Sequence, residues 1–399
     1  MSSAPKLITI DYTPDLDDEK SQQETIIIDE DDPLLNDTED IFKYLHDYEH
    51  EHEFDDEEEE DESPGSDESI ELILPEKHID PLFDPNNKRL ALFPLEFNDI
   101  FDFYKRAKGC DWNPEEIDLV TDLKDFTGLK SNEKLYIKTI LGFFSGFDFI
   151  VNDNLDSFVE DITIPEAKCF FHFQEMMEDK HSHSYSLMLD SYIQDKDEKI
   201  KLLNAVVEFP AIQHMADWCK DWTRNGTTIE RLIAFACVEG IMFSGAFCAV
   251  FWLKKRGIMH GLTYSNELIA RDEGLHRDFA CLLYNKYIHE KNKLSKEKVI
   301  QIVDSCVVLN KQFVCSALPV SLIGMNNELM GKYIEYVADK LLIELIGDKH
   351  YNTSNPFDWM ELISLESSTN FFERRVSAYG KHAIKASPEE NKINFNIAF

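Results

Sequence analysis

From about Asp84 onward, apolar residues recur at helical spacing in long runs divided by short breaks, with little of the strict alternation that marks strands. The pattern predicts an all-α body. A helix over Leu95–Lys108 is followed by Asn113-Pro114-Glu115-Glu116, which reads as a helix start: Asn as cap, Pro in the first turn and acids at the positive end of the dipole. Residues Ser131–Leu155 form a long helix whose apolar side chains surround the cylinder, so its place is central. Another long helix begins near Pro165. Pro210 interrupts or begins the helix holding Trp218 and Trp222, because proline has no N–H to give to a helix interior. Thr227 or Thr228 caps the next helix and Ser265 the one after that. Two more, over about 295–316 and 319–346, complete the body, and Asn355-Pro356-Phe357 closes it.

The flanks differ from the body. Of the net charge of −37 on 399 residues, most sits in residues 1–80, where 30 acids face four lysines and no arginine. The unbroken acidic run Asp55–Glu62 and the scarcity of apolar clusters mark a leader too poor in hydrophobes to offset its ordering entropy, so 1–80 is expected to be disordered. Ile70–Leu74 is a candidate docking or strand-like element, and His46, His50 and His52 read as part of a solvated tail. From about Ala378 the chain turns polar again. Three parts result: the leader 1–80, a helical domain 81–377 and a flexible tail 378–399. This charge excludes nucleic-acid binding by bulk electrostatics, which requires a basic footprint. Eight cysteines without C-x-x-C spacing read as reduced core residues. No uncharged run reaches the ~18 residues of a membrane span and the start has no secretory apolar stretch, so a soluble cytoplasmic or nuclear protein is expected.

The candidate chemistry begins with two copies of Glu-x-x-His, Glu178 with His181 and Glu273 with His276. Residues three apart share a helix face, so each pair aims a carboxylate and an imidazole at one point. Ferritin-like di-metal bundles combine two such helices with one carboxylate from each of two others. Two acids stranded in apolar runs supply these: Asp148 and Glu239. Four carboxylates and two neutral imidazoles carry −4, which two divalent ions cancel, and the donor set suits iron or manganese. Tyr185, one turn beyond His181, stands beside this site. Phe243 and Phe247, four and eight residues after Glu239, and Ile269, four before Glu273, wall the phenol from water if their turns lie level with it. A ring so placed can lose an electron to an oxygen-activated metal pair. The ligand set alone also fits another di-metal oxidase or a metal store.

The motifs Phe147-Asp-Phe-Ile-Val-Asn-Asp-Asn-Leu155, Glu178 through Tyr185, Ala234-Phe-Ala-Cys-Val-Glu-Gly240, Phe251-Trp-Leu-Lys-Lys-Arg-Gly257, Ser265 through His276 and Asn355-Pro-Phe-Asp-Trp359 go further. Through them residues 84–399 resemble the small, radical-generating subunit of class I ribonucleotide reductase, of eukaryotic or eukaryote-like viral type. The resemblance implies a ferritin-like bundle in which those six residues bind two iron ions and Tyr185 carries the stable radical. It further implies that Trp112 passes an electron toward the metal site, with Asp272 linking it to His181 by hydrogen bonds, and that Tyr379 relays the radical between subunits. The last seven residues would dock on the large subunit through Ile393, Phe395 and Phe399, departing from the family pattern in Asn394, Asn396 and Ala398. A homodimer is implied as well. Nothing in the chain marks a nucleotide-binding site, so alone it should not turn over substrate.

Overall fold

The computed structural model describes residues 7–9, 25–27, 78–317, 325–357 and 359–360. Contacts divide the chain into two units, 1–78 and 79–399. In the first, β1 (Leu7–Thr9) pairs antiparallel with β2 (Thr25–Ile27), Leu7 opposite Ile27. The expected disorder of the leader, the Ile70–Leu74 element and the three alternating histidines otherwise lie outside the described residues, as does the tail beyond 360.

The second unit is helical, as its periodicity predicts. After two 3-10 turns come α1 (Asn98–Lys108), α2 (Val120–Gly128) and α3 (Ser131–Asp161). Between α1 and α2, Asn113-Pro114-Glu115-Glu116 opens only a single 3-10 turn, Pro114–Glu116, and the Asn113 side chain makes no capping bond. The expected helix starts at Val120 instead. Pro165 and Pro210 each occupy a first-turn position, where a missing N–H costs nothing, and so begin α4 (Pro165–Tyr192) and α7 (Pro210–Asn225). Between them lie α5 (Lys196–Leu203) and α6 (Ala205–Glu208). Thr227 caps α8 (Thr228–Cys237) in a reciprocal pair: its hydroxyl accepts from Glu230 N at 3.3 Å, and Glu230 accepts from Thr227 N at 2.8 Å. A π turn, Val238–Met242, then leads into α9 (Ser244–Lys255). The remaining helices are α10 (His260–Tyr287), α11 (Lys296–Ala317) and α12 (Asn327–Ile346).

The core is aromatic. Phe143, Phe144, Phe147, Phe170, Phe171, Phe243, Phe279 and Phe313 are fully buried where α3, α4, α10 and α11 meet the segment around the π turn. Truncating any such ring to alanine removes about 3–5 kcal/mol. Helices α3 and α4 pack along each other, α10 packs along α8 and α9, and α4 lies against α10. Three helical stretches, Ser131–Asp161, Thr228–Lys255 and Lys296–Ser316, are long and apolar enough to cross a membrane, yet 72%, 94% and 44% of their most apolar windows are buried inside this body.

Helix α10 begins five residues before the expected cap, at His260, and Ser265 lies inside it, donating to Leu262 O at 2.9 Å. The start is fixed from outside. Asp122, buried on α2, accepts from Gly261 N at 2.9 Å, Leu262 N at 2.7 Å and Tyr192 Oη at 2.8 Å, so one carboxylate satisfies two orphan amides of α10 and ties them to α4. Glycine at 261 is what allows α2 so close: a Cβ there would lie 2.5 Å from Asp118 O. Replacing Asp122 by alanine should therefore destabilise the metal-free protein by about 2–4 kcal/mol, the loss of a multiply bonded buried carboxylate, and Gly261→Ala should destabilise it too. Denaturant unfolding of both variants checks this, and an unchanged midpoint would refute the tie.

Candidate metal centre and its neighbouring tyrosine

Helix α4 carries Glu178, His181 and Tyr185; α10 carries Asp272, Glu273 and His276; the π turn carries Glu239; and α3 carries Asp148. Glu178, Glu239, Glu273 and His276 each present a ligand atom, all within 4.8 Å of one another and all buried. His276 Nδ1 lies 2.9 Å from Glu178 Oε1, 3.2 Å from Glu273 Oε2 and 3.6 Å from Glu239 Oε2. His181 Nδ1 lies 3.1 Å from both Glu178 Oε2 and Glu273 Oε1. Asp148 is not in the tight group of four. It is buried beside it, near enough that the charges of Glu178 and Glu273 act on it.

One ring nitrogen has a single lone pair or a single proton, so three carboxylates around His276 Nδ1 are more acceptors than it can serve. Oxygens are left over: Asp148 Oδ2, Glu178 Oε1 and Glu239 Oε2 are buried and accept no well-aligned hydrogen bond, Glu178 Oε1 even though it lies 2.9 Å from His276 Nδ1. Buried orphan carboxylate oxygens converging with two imidazole nitrogens are what a hard divalent cation fits. Electrostatics agree. Burial pushes Asp148 well above the ordinary carboxylate range, with Glu178 adding to it; burial does the same to Glu239, with Glu273 and Glu178 adding. Glu273 runs the other way, since hydrogen bonds to Glu239, His181 and His276 outweigh its burial and hold it low. Burial lowers both histidines, but the charge of Glu178 overrides it and raises them.

Glu239 stands within the π turn rather than on a regular helix. A π turn frees a carbonyl from the regular helical ladder; here Ile241 O is taken up by Ser244 Oγ at 2.6 Å and by Asn310 Nδ2 from α11 at 2.7 Å. Helical periodicity predicts a regular helix at Glu239 and marks neither this turn nor Gln174, whose Nε2 donates to Glu239 Oε1 at 3.1 Å. Gln174 stands four residues before Glu178, a spacing that does put it on the ligand face.

Tyr185 is fully buried. The ring lying on it is Phe144, stacked at 4.3 Å between centroids and 6° between planes; Phe243 and Phe247 close on Phe144 at 5.9 and 5.2 Å. Ile269 is buried too. Phe144, four residues before Asp148, is thus the ring on the phenol, and the expected Phe243 and Phe247 stand behind it. Burial, then the charges of Asp148, Glu273 and Glu178, raise the phenol far above its usual range and keep it protonated. Its hydroxyl donates to Asn266 Oδ1 at 3.0 Å.

On the other side of His181, Asp272 Oδ2 lies 3.3 Å from His181 Nε2 and accepts from Trp112 Nε1 at 2.9 Å. The Trp112 indole stacks on the His181 ring at 6.2 Å and 18°. Asp272 Oδ1 accepts from Arg271 Nε at 3.1 Å and Nη2 at 2.8 Å. Burial opposes ionisation of Asp272, but hydrogen bonding to His181 and the charge of Arg271 pull it low. Tyr379 and the terminal anchors Ile393, Phe395 and Phe399 lie outside the described residues.

A sequence profile described as "Ribonucleotide reductase, small chain" matches residues 89–356. The chain belongs to the ribonucleotide reductase small-chain family. It is 49% identical over 316 residues to the ribonucleoside-diphosphate reductase small chain of Trypanosoma brucei brucei, covering 79% of this chain and 93% of that one. To ribonucleoside-diphosphate reductase subunit M2 of Homo sapiens it is 47% identical over 323 residues, covering 80% and 82%. The Rnr4 homodimer of Saccharomyces cerevisiae superposes with a TM-score of 0.66 at 33% identity, over 75% of this chain and 93% of that chain. As a ribonucleotide reductase small chain it is an oxidoreductase subunit with a ferritin-like fold, the radical-generating partner of the large subunit.

Because Asp148, Glu239 and both histidines hold protons more tightly than usual in the metal-free cluster, a cation must displace protons to bind. Ferrous or manganous binding should release protons and weaken as pH falls, by roughly tenfold per pH unit for each proton displaced. Calorimetric titration in buffers of different ionisation enthalpy measures this; binding without proton release would contradict the arrangement.

Proposed function

We propose that Asp148, Glu178, His181, Glu239, Glu273 and His276 hold two iron ions, and that Tyr185 becomes the radical of this ribonucleotide reductase small chain. The observation that carries this reading is the surplus of buried acceptor oxygens around two imidazole nitrogens, one helical turn from a sealed phenol. Iron is preferred to manganese on function and resemblance; the donor set accepts both. When bound, the metal pair supplies a one-electron oxidant made from dioxygen.

The chain's own residues do the rest by position. Tyr185 gives up an electron inside an aromatic shell that excludes quenchers. From Tyr185 the oxidising equivalent passes through His181, Asp272, Trp112 and Tyr379 to the large subunit. Asp272 Oδ2 accepts the Trp112 Nε1 proton in a hydrogen bond of 2.9 Å, so the indole can lose an electron while that proton shifts toward an ionised carboxylate. Arg271 holds the other oxygen of Asp272 and keeps it in place. The C-terminal tail, through Ile393, Phe395 and Phe399, docks on the large subunit as apolar anchors on a tether. Two copies form a homodimer, and the soluble ferritin-like scaffold fits a cytoplasmic location.

Adding ferrous iron and oxygen to the metal-free protein should give an organic-radical resonance and a sharp visible band, with two metal ions bound per chain. Tyr185→Phe should abolish both signals while the metal stays. Trp112→Phe should keep the resonance yet remove turnover with the large subunit. A resonance that survives in Tyr185→Phe would sink the assignment.

A further inference from the structure

Tyr185 donates its one hydroxyl hydrogen to Asn266 Oδ1 at 3.0 Å, and both residues are fully buried. The amide is itself held. Its Nδ2 donates to Leu262 O at 2.8 Å, one turn back along α10. A carbonyl can only accept and a protonated phenol donates, so the two partners together dictate which end of the amide faces the tyrosine. Asn266 stands seven residues before Glu273, two turns along the same helical face, with Ile269 between them. One face of α10 therefore serves the metal centre at one level and the phenol at the next.

A primary amide accepts a hydrogen bond but is far too weak a base to take the proton. When the phenol is oxidised, the oxidant that a bound metal pair would make from dioxygen would take up both the electron and the proton, since the amide can hold neither. What remains is a phenoxyl oxygen with no hydrogen. It then faces the Asn266 oxygen as acceptor against acceptor, in a buried place where an unsatisfied acceptor is costly.

We propose that Asn266 is a positioning residue that sets the oxidising power of Tyr185: its tethered carboxamide oxygen stabilises the phenol and offers nothing to the phenoxyl radical. The radical is then a stronger oxidant than the same ring in a purely apolar shell, which favours passing the oxidising equivalent onward. This rests on the assignment of Tyr185 as the radical residue.

Asn266→Leu keeps the shape and removes the acceptor. With metal content unchanged, the midpoint potential of the Tyr185 radical, from mediated titration of its resonance, should fall by ~59 mV, a tenfold change for one electron. In the metal-free protein, ultraviolet resonance Raman difference spectra against Tyr185→Phe should show the Tyr185 hydroxyl changing from hydrogen-bond donor to free. Asn266→Asp, its carboxyl kept neutral by burial, retains an O–H for Leu262 O and a C=O for Tyr185 and should restore both values. A folded Asn266→Leu protein with unchanged potential and Raman signature overturns the proposal. A measurement on the unmodified protein needs no variant: with ¹⁵N-labelled asparagine, electron–nuclear double resonance should detect no exchangeable amide proton coupled to the radical, and finding one overturns the proposal because the amide would have turned to serve the radical. Tyr185→Phe separates the two levels. Persistence of the resonance in that variant refutes the radical assignment and this role with it, whereas its loss supports the assignment and leaves the other arms to decide on Asn266 alone.

Discussion

Three carboxylates, those of Glu178, Glu239 and Glu273, share a space where their ligand atoms lie within 4.8 Å of one another. At that separation and an effective dielectric near 20, each ionised pair repels by about 3 kcal/mol, so three pairs cost about 10 kcal/mol. That is comparable to the entire stability of a domain. The cluster can therefore exist only with protons or cations among its oxygens. The rest of the structure follows from holding such a group together: histidines to share the charge, a closed apolar shell, and helices fixed from outside so that repulsion cannot splay them.

Two devices do the fixing, and both act across long sequence distances. Asp122 supplies the missing bonds at the start of α10, the helix bearing Glu273 and His276, and ties that start to Tyr192 on α4. Asn310 on α11 takes up Ile241 O in the π turn and so stabilises the backbone irregularity that carries Glu239. Gly245 brings α9 close to α11 at the same place, since a Cβ there would lie 2.6 Å from Val314 Cγ2. The geometry of the cluster is thus set by residues outside it.

This division also explains what could be read from the chain. Both Glu-x-x-His pairs were legible because helical spacing alone puts i and i+3 on one face, and Asp148 and Glu239 because an acid stranded in an apolar run calls for a partner. The helix spans followed from periodicity and from Pro165, Pro210 and Thr227 at their starts. The beginning of α10 was misplaced at Ser265 because its cap comes from Asp122, 139 residues before Gly261. The π turn left no local mark, since its stabilising partner lies on α11. Phe144 and Gln174 were legible in principle, each standing four residues before a ligand. Asn266 was not, because a lone asparagine on a helix reads as a surface residue until its neighbours are known.

The two histidines, alike in sequence, have unlike surroundings, and that difference gives the site a direction. His276 meets the edge of Phe170, at 6.2 Å and 90°, and Phe170 stacks on Phe279 at 3.7 Å, so apolar rings close that side. His181 instead faces Asp272, which accepts from Trp112 and from Arg271, and Arg271 reaches Cys110 O at 2.6 Å. A chain of hydrogen bonds therefore leads away from His181, and none runs among these rings beside His276. Tyr185 lies on the same helix as His181, yet its ring is sealed by Phe144 and its hydroxyl turned to Asn266. Tyr185 and His181 are only four residues of α4 apart, and what distinguishes their surroundings is the polarity of the side chains that α3 and α10, with the loop before α2, bring to each turn.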